Sequence, residues 1–84
     1  MGQQHFNITK QMSIKIIEDK HCITVVTTHG SKISEVKRKF SNRHNALEYI
    51  TRLWDMRSLG YRVGVGGILS ASFFHQLAKE GIVV

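Results

Sequence analysis

The sequence predicts an α+β fold. We expect a three-stranded antiparallel meander packed on one amphipathic helix, then a short extended segment and a second helix. Three runs rich in Ile, Val and Thr, residue types that favour strands, occupy positions 13–18, 22–28 and 32–40. Two stretches with helical spacing of apolar residues follow, and each ends at a glycine, Gly60 or Gly81. The predicted order is therefore β-β-β-α-(β)-α.

Apolar residues match across both turns of the meander. If Asp19 and Lys20 close the first hairpin, Ile16 faces Ile23. If the next turn lies at positions 29–30, Ile23 also faces Val36. Both hairpins then place one apolar set on the same face, and a slip of one residue would scatter it. The members of that face are Ile14, Ile16, Ile23, Val25, Val36 and Phe40.

The opposite face of the meander is mixed and basic at one end. We expect it to point away from the first helix, with a small apolar spot at Val26 and Ile33 and its basic end at Lys37 and Lys39. The residues that alternate onto this face are Lys15, Ile17, Cys22, Thr24, Val26, Ile33, Glu35, Lys37 and Lys39.

Capping residues predict the ends of both helices. Ser41 is a good N-cap for the first helix, and Gly60 fits a left-handed C-terminal stop at which Tyr61 folds back on Met56. Ser70 is the predicted N-cap of the second helix. The first helix should bury Ala46, Leu47, Ile50, Leu53 and Trp54, and the second Phe74, Leu77, Ala78 and Gly81.

Size and charge limit the classes of function. A chain of 84 residues has room for one modest core, so we expect residues 12–84 to be a single domain, residues 1–11 a flexible leader or added edge strand, and the protein to be non-enzymatic. Twelve Lys and Arg against six Asp and Glu give a net charge of +6, which favours anionic partners. One cysteine, Cys22, is typical of a reducing cytoplasm, and no apolar run approaches the roughly 20 residues that span a bilayer.

A cluster of cations surrounds the predicted junction between the third strand and the first helix. Alternation puts Lys37 and Lys39 on one face with Lys15, while Arg43 falls in the first helical turn, where backbone amides also favour phosphate. The alternative is a solvated strand edge whose lysines discourage aggregation. The candidate nucleic-acid-binding residues are Lys15, Lys20, Lys37, Arg38, Lys39 and Arg43.

A meander with a basic last strand, followed by Phe40, Ser41 and Ala46 at a helix start, resembles small DNA-binding domains over residues 13–60. The AP2 and integrase arm-binding domains are similar, and the WGR domain is so more faintly. In AP2-like domains the outer sheet face enters the major groove. The resemblance therefore implies that DNA, more than RNA, is approached by Lys15, Thr24, Glu35, Lys37 and Lys39.

Other motifs predict no catalytic, cofactor or metal site. The glycines at positions 64–67 could cradle a phosphate, but they lack the Lys-Ser/Thr of a P-loop, so a flexible link is expected. The five histidines are scattered and none pairs at i, i+4.

A second interpretation is a small regulator or inhibitor of the kind encoded by bacteriophages and other mobile elements. Such a protein acts by binding another protein, here through an acidic partner surface or as a homodimer. The residues predicted for that interface are Val26, Ile33, Phe73, Ile82 and Val83.

Overall fold

The structure, a computed structural model, describes residues 11–30 and 35–84. Positions 1–10 of the predicted leader, residues 1–11, lie outside the described residues, as does Ile33 of the predicted third strand. The strands and helices are β1 (Gln11–Glu18), β2 (Ile23–His29), β3 (Glu35–Phe40), α1 (Arg43–Trp54), a 3-10 helix (Asp55–Leu59), β4 (Arg62–Ile68) and α2 (Ala71–Lys79).

The predicted α+β fold is confirmed, with one addition to the sheet. β1, β2 and β3 form the antiparallel meander, and the segment predicted as a short strand or extended link is the longer strand β4. β4 pairs in parallel with β1, so the sheet is four-stranded and mixed, in the order β3-β2-β1-β4. The crossover from β3 to β4 contains α1, as a parallel connection requires.

The two predicted pairings were wrong, but the predicted faces were right. Ile16 lies opposite Val25 instead of Ile23, and Ile23 lies opposite Phe40 instead of Val36. The first turn holds four residues, 19–22, where two were expected, so the first pairing shifts by two residues. The second pairing shifts by four, because Thr28 lies opposite Glu35 instead of Ser31. Because side chains alternate with a period of two, even shifts leave every side chain on its predicted face.

The core lies between one face of the sheet and the two helices. The inner-face residues Ile14, Ile16 and Val25 are buried together with Ala46 and Ile50 of α1. Towards its β3 edge this face opens, and Val36 is exposed there. No helix among the described residues is long and apolar enough to cross a membrane.

α1 begins one residue later than predicted. Its N-cap is Asn42, whose side-chain oxygen accepts a hydrogen bond of 2.9 Å from the amide of Asn45, so the prediction of Ser41 was wrong. Adjacent Ser and Asn residues are both good caps by type, and the sequence does not discriminate between them. At the other end of α1, Trp54 is half-buried and the guanidinium of Arg57 lies 4.5 Å from the centre of its ring.

The predicted glycine stops are confirmed at both helical segments. Gly60 has a φ of 94°, and the Tyr61 amide donates to the carbonyl of Met56. In the same way the Ile82 amide donates to Leu77 after a left-handed Gly81. These are Schellman motifs, in which the residue after the glycine turns back towards the helix.

α2 is rotated from the predicted orientation. Phe73 and Leu77 are fully buried, while Phe74 is 45% exposed and Ala78 is exposed, so the predicted Phe74–Ala78 face was wrong. Ser70 is the N-cap, as predicted. Phe73 and Leu77 lie four residues apart on one face of α2. Ile82, which follows the end of the helix, is buried as well.

Gly67 is required where β4 passes β1. Its φ is 135°, and an added Cβ would lie 1.9 Å from the carbonyl oxygen of Ile16. We expect Gly67→Ala to lower the free energy of unfolding by about 2–4 kcal/mol through this strain and clash, measured by urea denaturation. The matched control is Gly66→Ala, whose Cβ would meet nothing within 4 Å and which should change stability by less than about 1 kcal/mol. Equal losses in both variants would contradict this explanation.

Thr27 is a polar residue in the apolar core. It is 2% exposed, and its hydroxyl has no hydrogen-bond partner among the described residues. Thr27→Val keeps the branched shape and removes the unpaired hydroxyl, so we expect thermal or urea unfolding to show a gain of about 1 kcal/mol. Thr28→Val, on the other face of the same strand, is the control and should change stability by less than about 0.5 kcal/mol.

Candidate nucleic-acid interface

The outer face of the sheet is the face that α1 and α2 do not cover. The buried side chains of both helices pack with inner-face residues, such as Ile14 and Val25, in a single cluster. An added Cβ at Gly64 or Gly66 would meet nothing within 4 Å, so the outer face is open at β4. Among residues 11–30 and 35–84 neither helix covers this face, although Val26 at its centre is only 8% exposed.

Three of the predicted cations share this outer face. Val26 of β2 lies between Lys15 of β1 and Lys37 of β3, and Lys39 is paired with Thr24. All three lysines are exposed. From the spacing of strands, Lys15 and Lys37 stand about 10 Å apart across the sheet, and Lys37 and Lys39 about 7 Å apart along β3. The lysines thus form a spread array and not a single point of charge.

Arg62 is a fourth cation on the outer face, and sequence reasoning missed it. It pairs with Gln11, shares the alternation of Lys15 along β1 and is exposed. The signal was present in the order Arg-Val-Gly-Val-Gly-Gly-Ile, where Val63 and Val65 alternate with small or polar residues. Because glycines are unusual in strands, the segment could equally be a link. Without an established strand, the face to which Arg62 points was not predictable.

The charge on the outer face is strongly unbalanced. Among the described residues, Glu35 is the one carboxylate that alternates onto this face, at the row of Ser13 and Thr28. It stands beside exposed lysines on the same strand. The face therefore carries a net positive potential, although opposite charges this close together reduce it locally.

Lys20 and Arg38 lie apart from the lysine array. Lys20 is exposed in the β1–β2 turn, where its amide donates to the neighbouring Asp19 carboxylate. Arg38 alternates onto the inner face, and its guanidinium lies 5.0 Å from the ring centre of Tyr49 and 5.9 Å from that of Phe40. The structure therefore assigns Arg38 to the helix side of β3 and not to the outer surface.

Arg43 makes several contacts within the protein, and its role as a nucleic-acid ligand stays a prediction. Its Nη2 atom lies 2.9 Å from Oε2 of Glu18, and its Nε donates to the same oxygen at 3.0 Å. Nη2 also donates to the hydroxyl of Ser70 at 2.8 Å, and the guanidinium lies 5.4 Å from the ring centre of Phe73. The Glu18 carboxylate therefore offsets its positive charge within the protein, while the Arg43 side chain remains 35% exposed.

Glu18 takes the place that an external anion would occupy. Its Oε1 accepts a hydrogen bond of 2.7 Å from the backbone amide of Ser70, the N-cap of α2, while Oε2 binds Arg43 at the first position of α1. Both helices begin at this end of the sheet, where backbone amides favour negative charge. One carboxylate of β1 thus contacts the N-cap residue of α2 and the side chain of the first residue of α1.

This environment lowers the pKa of Glu18 below its ordinary value of 4.5. Burial alone would raise the pKa, because it disfavours the charged carboxylate. The hydrogen bonds from Ser70 and Arg43, together with the Arg43 charge, outweigh that effect. The carboxylate therefore stays ionised at neutral pH and stabilises the fold.

The predicted protein interface is largely buried. Phe73 and Ile82 belong to the core, and Val26 is 8% exposed, so Phe73 and Ile82 were wrong as interface residues and Val26 offers little surface. Val83 is 73% exposed, and Ile33 lies outside the described residues. The exposed aromatic residue of α2 is Phe74.

Two other candidate motifs are now placed. The glycines at 64–67 lie inside β4, paired with β1, and so form neither a flexible link nor a phosphate-binding loop. Within residues 11–30 and 35–84, no three His, Cys, Asp or Glu side chains are grouped closely enough to hold a metal ion.

Comparison with protein-family models, curated proteins and solved structures gives no match for this chain. The function proposed below therefore depends on the geometry of the chain itself.

Removal of the Glu18 carboxylate should reveal its role in stability. We expect Glu18→Gln to lower the free energy of unfolding by about 1–2 kcal/mol at pH 7, because the ion pair is removed and Arg43 is one-third exposed. The folded pKa is depressed, so the wild-type advantage is complete above pH 4.5 and disappears as the pH falls through the folded pKa.

Urea denaturation of both proteins between pH 7 and pH 3 measures this effect. Glu35→Gln, a carboxylate exposed on the outer face, is the control and should leave stability at pH 7 nearly unchanged. A Glu18→Gln deficit that stays constant down to pH 3 would show that the carboxylate charge is not the cause.

Proposed function

We propose that this chain is a small non-enzymatic module that binds duplex nucleic acid, DNA above all, through the outer face of its sheet. The observation that supports the proposal is the charge of that face. Lys15, Lys37, Lys39 and Arg62 are exposed there against a single carboxylate, Glu35. Clustering of cations on one open face is the electrostatic footprint of a polyanion partner.

The width of the sheet favours contact with phosphates over insertion into a groove. Four strands span about 14 Å between the axes of β3 and β4, whereas the major groove of B-DNA is about 12 Å wide. In this proposal the face lies across the groove, and the lysines contact the backbone on either side. Such contacts position a protein on the duplex but read no sequence.

Single-stranded nucleic acid fits this face less well. Proteins that bind single strands combine cations with aromatic side chains on which bases stack. The outer-face positions of the described strands hold no aromatic residue, and Phe40 and Tyr49 lie on the helix side. We therefore propose duplex binding that depends on phosphate charge, in a reducing cytoplasm that would suit the free Cys22.

Neutralising two lysines should reduce the salt dependence of binding. In Lys37→Gln/Lys39→Gln we expect the slope of log Kobs against log[salt] to fall by about 1.8, because each phosphate that a lysine neutralises contributes about 0.9 to the slope. Fluorescence anisotropy with a labelled duplex of mixed sequence, titrated from low to physiological salt, measures the slope. Urea denaturation checks that the variant remains folded.

The matched control removes the same charge from the helix layer. Arg52→Gln/Lys79→Gln neutralises two exposed cations in the last turns of α1 and α2. It should retain nearly the wild-type slope. Equal effects of the two double variants would contradict an outer-face site, and no binding by the wild-type chain at low salt would favour the regulator that binds an acidic protein surface.

A further inference from the structure

The two edges of the sheet differ in how they are protected. β3 carries Lys37, Arg38 and Lys39 in succession, the kind of charge that keeps an edge strand from pairing with another chain. β4 has one charged residue, Arg62, at its first position, and it contains neither proline nor lysine. Over its seven residues it offers an open row of backbone groups with small side chains. Among the described residues, its one strand partner is β1.

The sequence of β4 is compatible with antiparallel pairing to itself. The strand has an odd number of residues, so a two-fold axis at Val65 pairs all seven of them with a second copy. In that register Gly64 lies opposite Gly66 of the partner, and Arg62 lies opposite Ile68. The two arginines are then about 20 Å apart along the strands and do not repel each other strongly. A two-fold axis at the centre of β3 would instead place its central cations opposite those of the second copy, which is destabilising.

Partly buried valines mark the same edge. Val63 and Val65 point to the inner face and pack against the core, but they are only half-buried because the sheet ends beside them. In the two-fold register Val65 lies directly opposite Val65 of the second copy. Cross-strand contact between branched side chains would bury this residual apolar surface. The outer-face Ile68, 71% exposed, would also gain a neighbour in the stem of Arg62.

We propose that β4 is the seam of a homodimer, in which two copies pair edge to edge through Arg62–Ile68 in antiparallel register about Val65. The occupant of the edge is a second copy of this chain, because self-pairing separates its charges and matches its valines. The product is one continuous eight-stranded sheet. Antiparallel pairing in one sheet keeps both outer faces on the same side, so two lysine arrays form a single surface.

This seam differs from the C-terminal one expected from the sequence, since Ile82 is buried within its own chain. It also stands independently of nucleic-acid binding. A chain that dimerises without binding a duplex, or binds a duplex as a monomer, separates the two proposals.

Sedimentation equilibrium across a concentration series tests the dimer. We expect a monomer–dimer equilibrium for the wild type. In Gly64→Lys/Gly66→Lys each lysine faces another across the seam, so dimerisation should weaken by at least about tenfold. The open space at both glycines lets the monomer accept these side chains. Gly64→Thr/Gly66→Thr adds side chains at the same positions without charge, and it should dimerise like the wild type.

A cross-link tests the register. In a Cys22→Ser background, Val65→Cys places two thiols directly opposite each other, at a Cβ separation of about 5 Å. Mild oxidation should give a covalent dimer in this variant and much less in Val63→Cys, whose counterpart across the seam is Gly67. A wild type that stays monomeric throughout, a dimer unaffected by the lysine pair, or equal cross-linking at both positions would each overturn the proposal.

Discussion

The ion pair between Glu18 and Arg43 holds together the end of the molecule at which the elements converge. Glu18 ends β1, Arg43 begins α1, and both contact Ser70, which begins α2. Three segments distant in sequence are thereby fixed by one carboxylate and one guanidinium. With this end closed, Phe73 of α2 packs beneath Arg43 and into the core.

The outer sheet face carries Lys15, Lys37, Lys39 and Arg62 on the side away from the helices. The helices lie on the apolar side, so the alternating side chains of β1, β3 and β4 are left facing solvent. Exposed cations gathered on one face produce a positive potential, and such a potential can attract a polyanion. The same separation of faces that builds the core therefore gathers these cations on the outer face.

Much of this architecture is predictable from the sequence. The face to which a strand side chain points depends only on whether its position in the strand is odd or even. The pairing of Ile16 was wrong by two residues, yet its face was right, since an even shift preserves alternation. Glycine stops were predictable for a similar reason. Gly60 and Gly81 meet a backbone requirement that few other residues satisfy, so each has a specific local meaning.

Features set by distant contacts were not predictable in this way. The partner of Arg43 lies 25 residues earlier in the chain, and nothing near Arg43 indicates it. The orientation of α2 was not predictable either, because Phe73 and Phe74 are equally apolar and tertiary packing decides which one turns inward. The full length of β4 was not predicted, because its glycines weaken the sequence signal of a strand. One of them, Gly67, is what permits the close approach of β4 to Ile16.

The position of Trp54 gives the molecule an intrinsic spectroscopic reporter. It is the single tryptophan of the chain, half-buried in the helix layer with Arg57 stacked on its ring. Unfolding would expose the indole to water and shift its fluorescence emission to longer wavelength. A ligand on the opposite side of the sheet would not touch the ring, so emission would follow folding and an extrinsic label on the ligand would follow occupancy in the same cuvette.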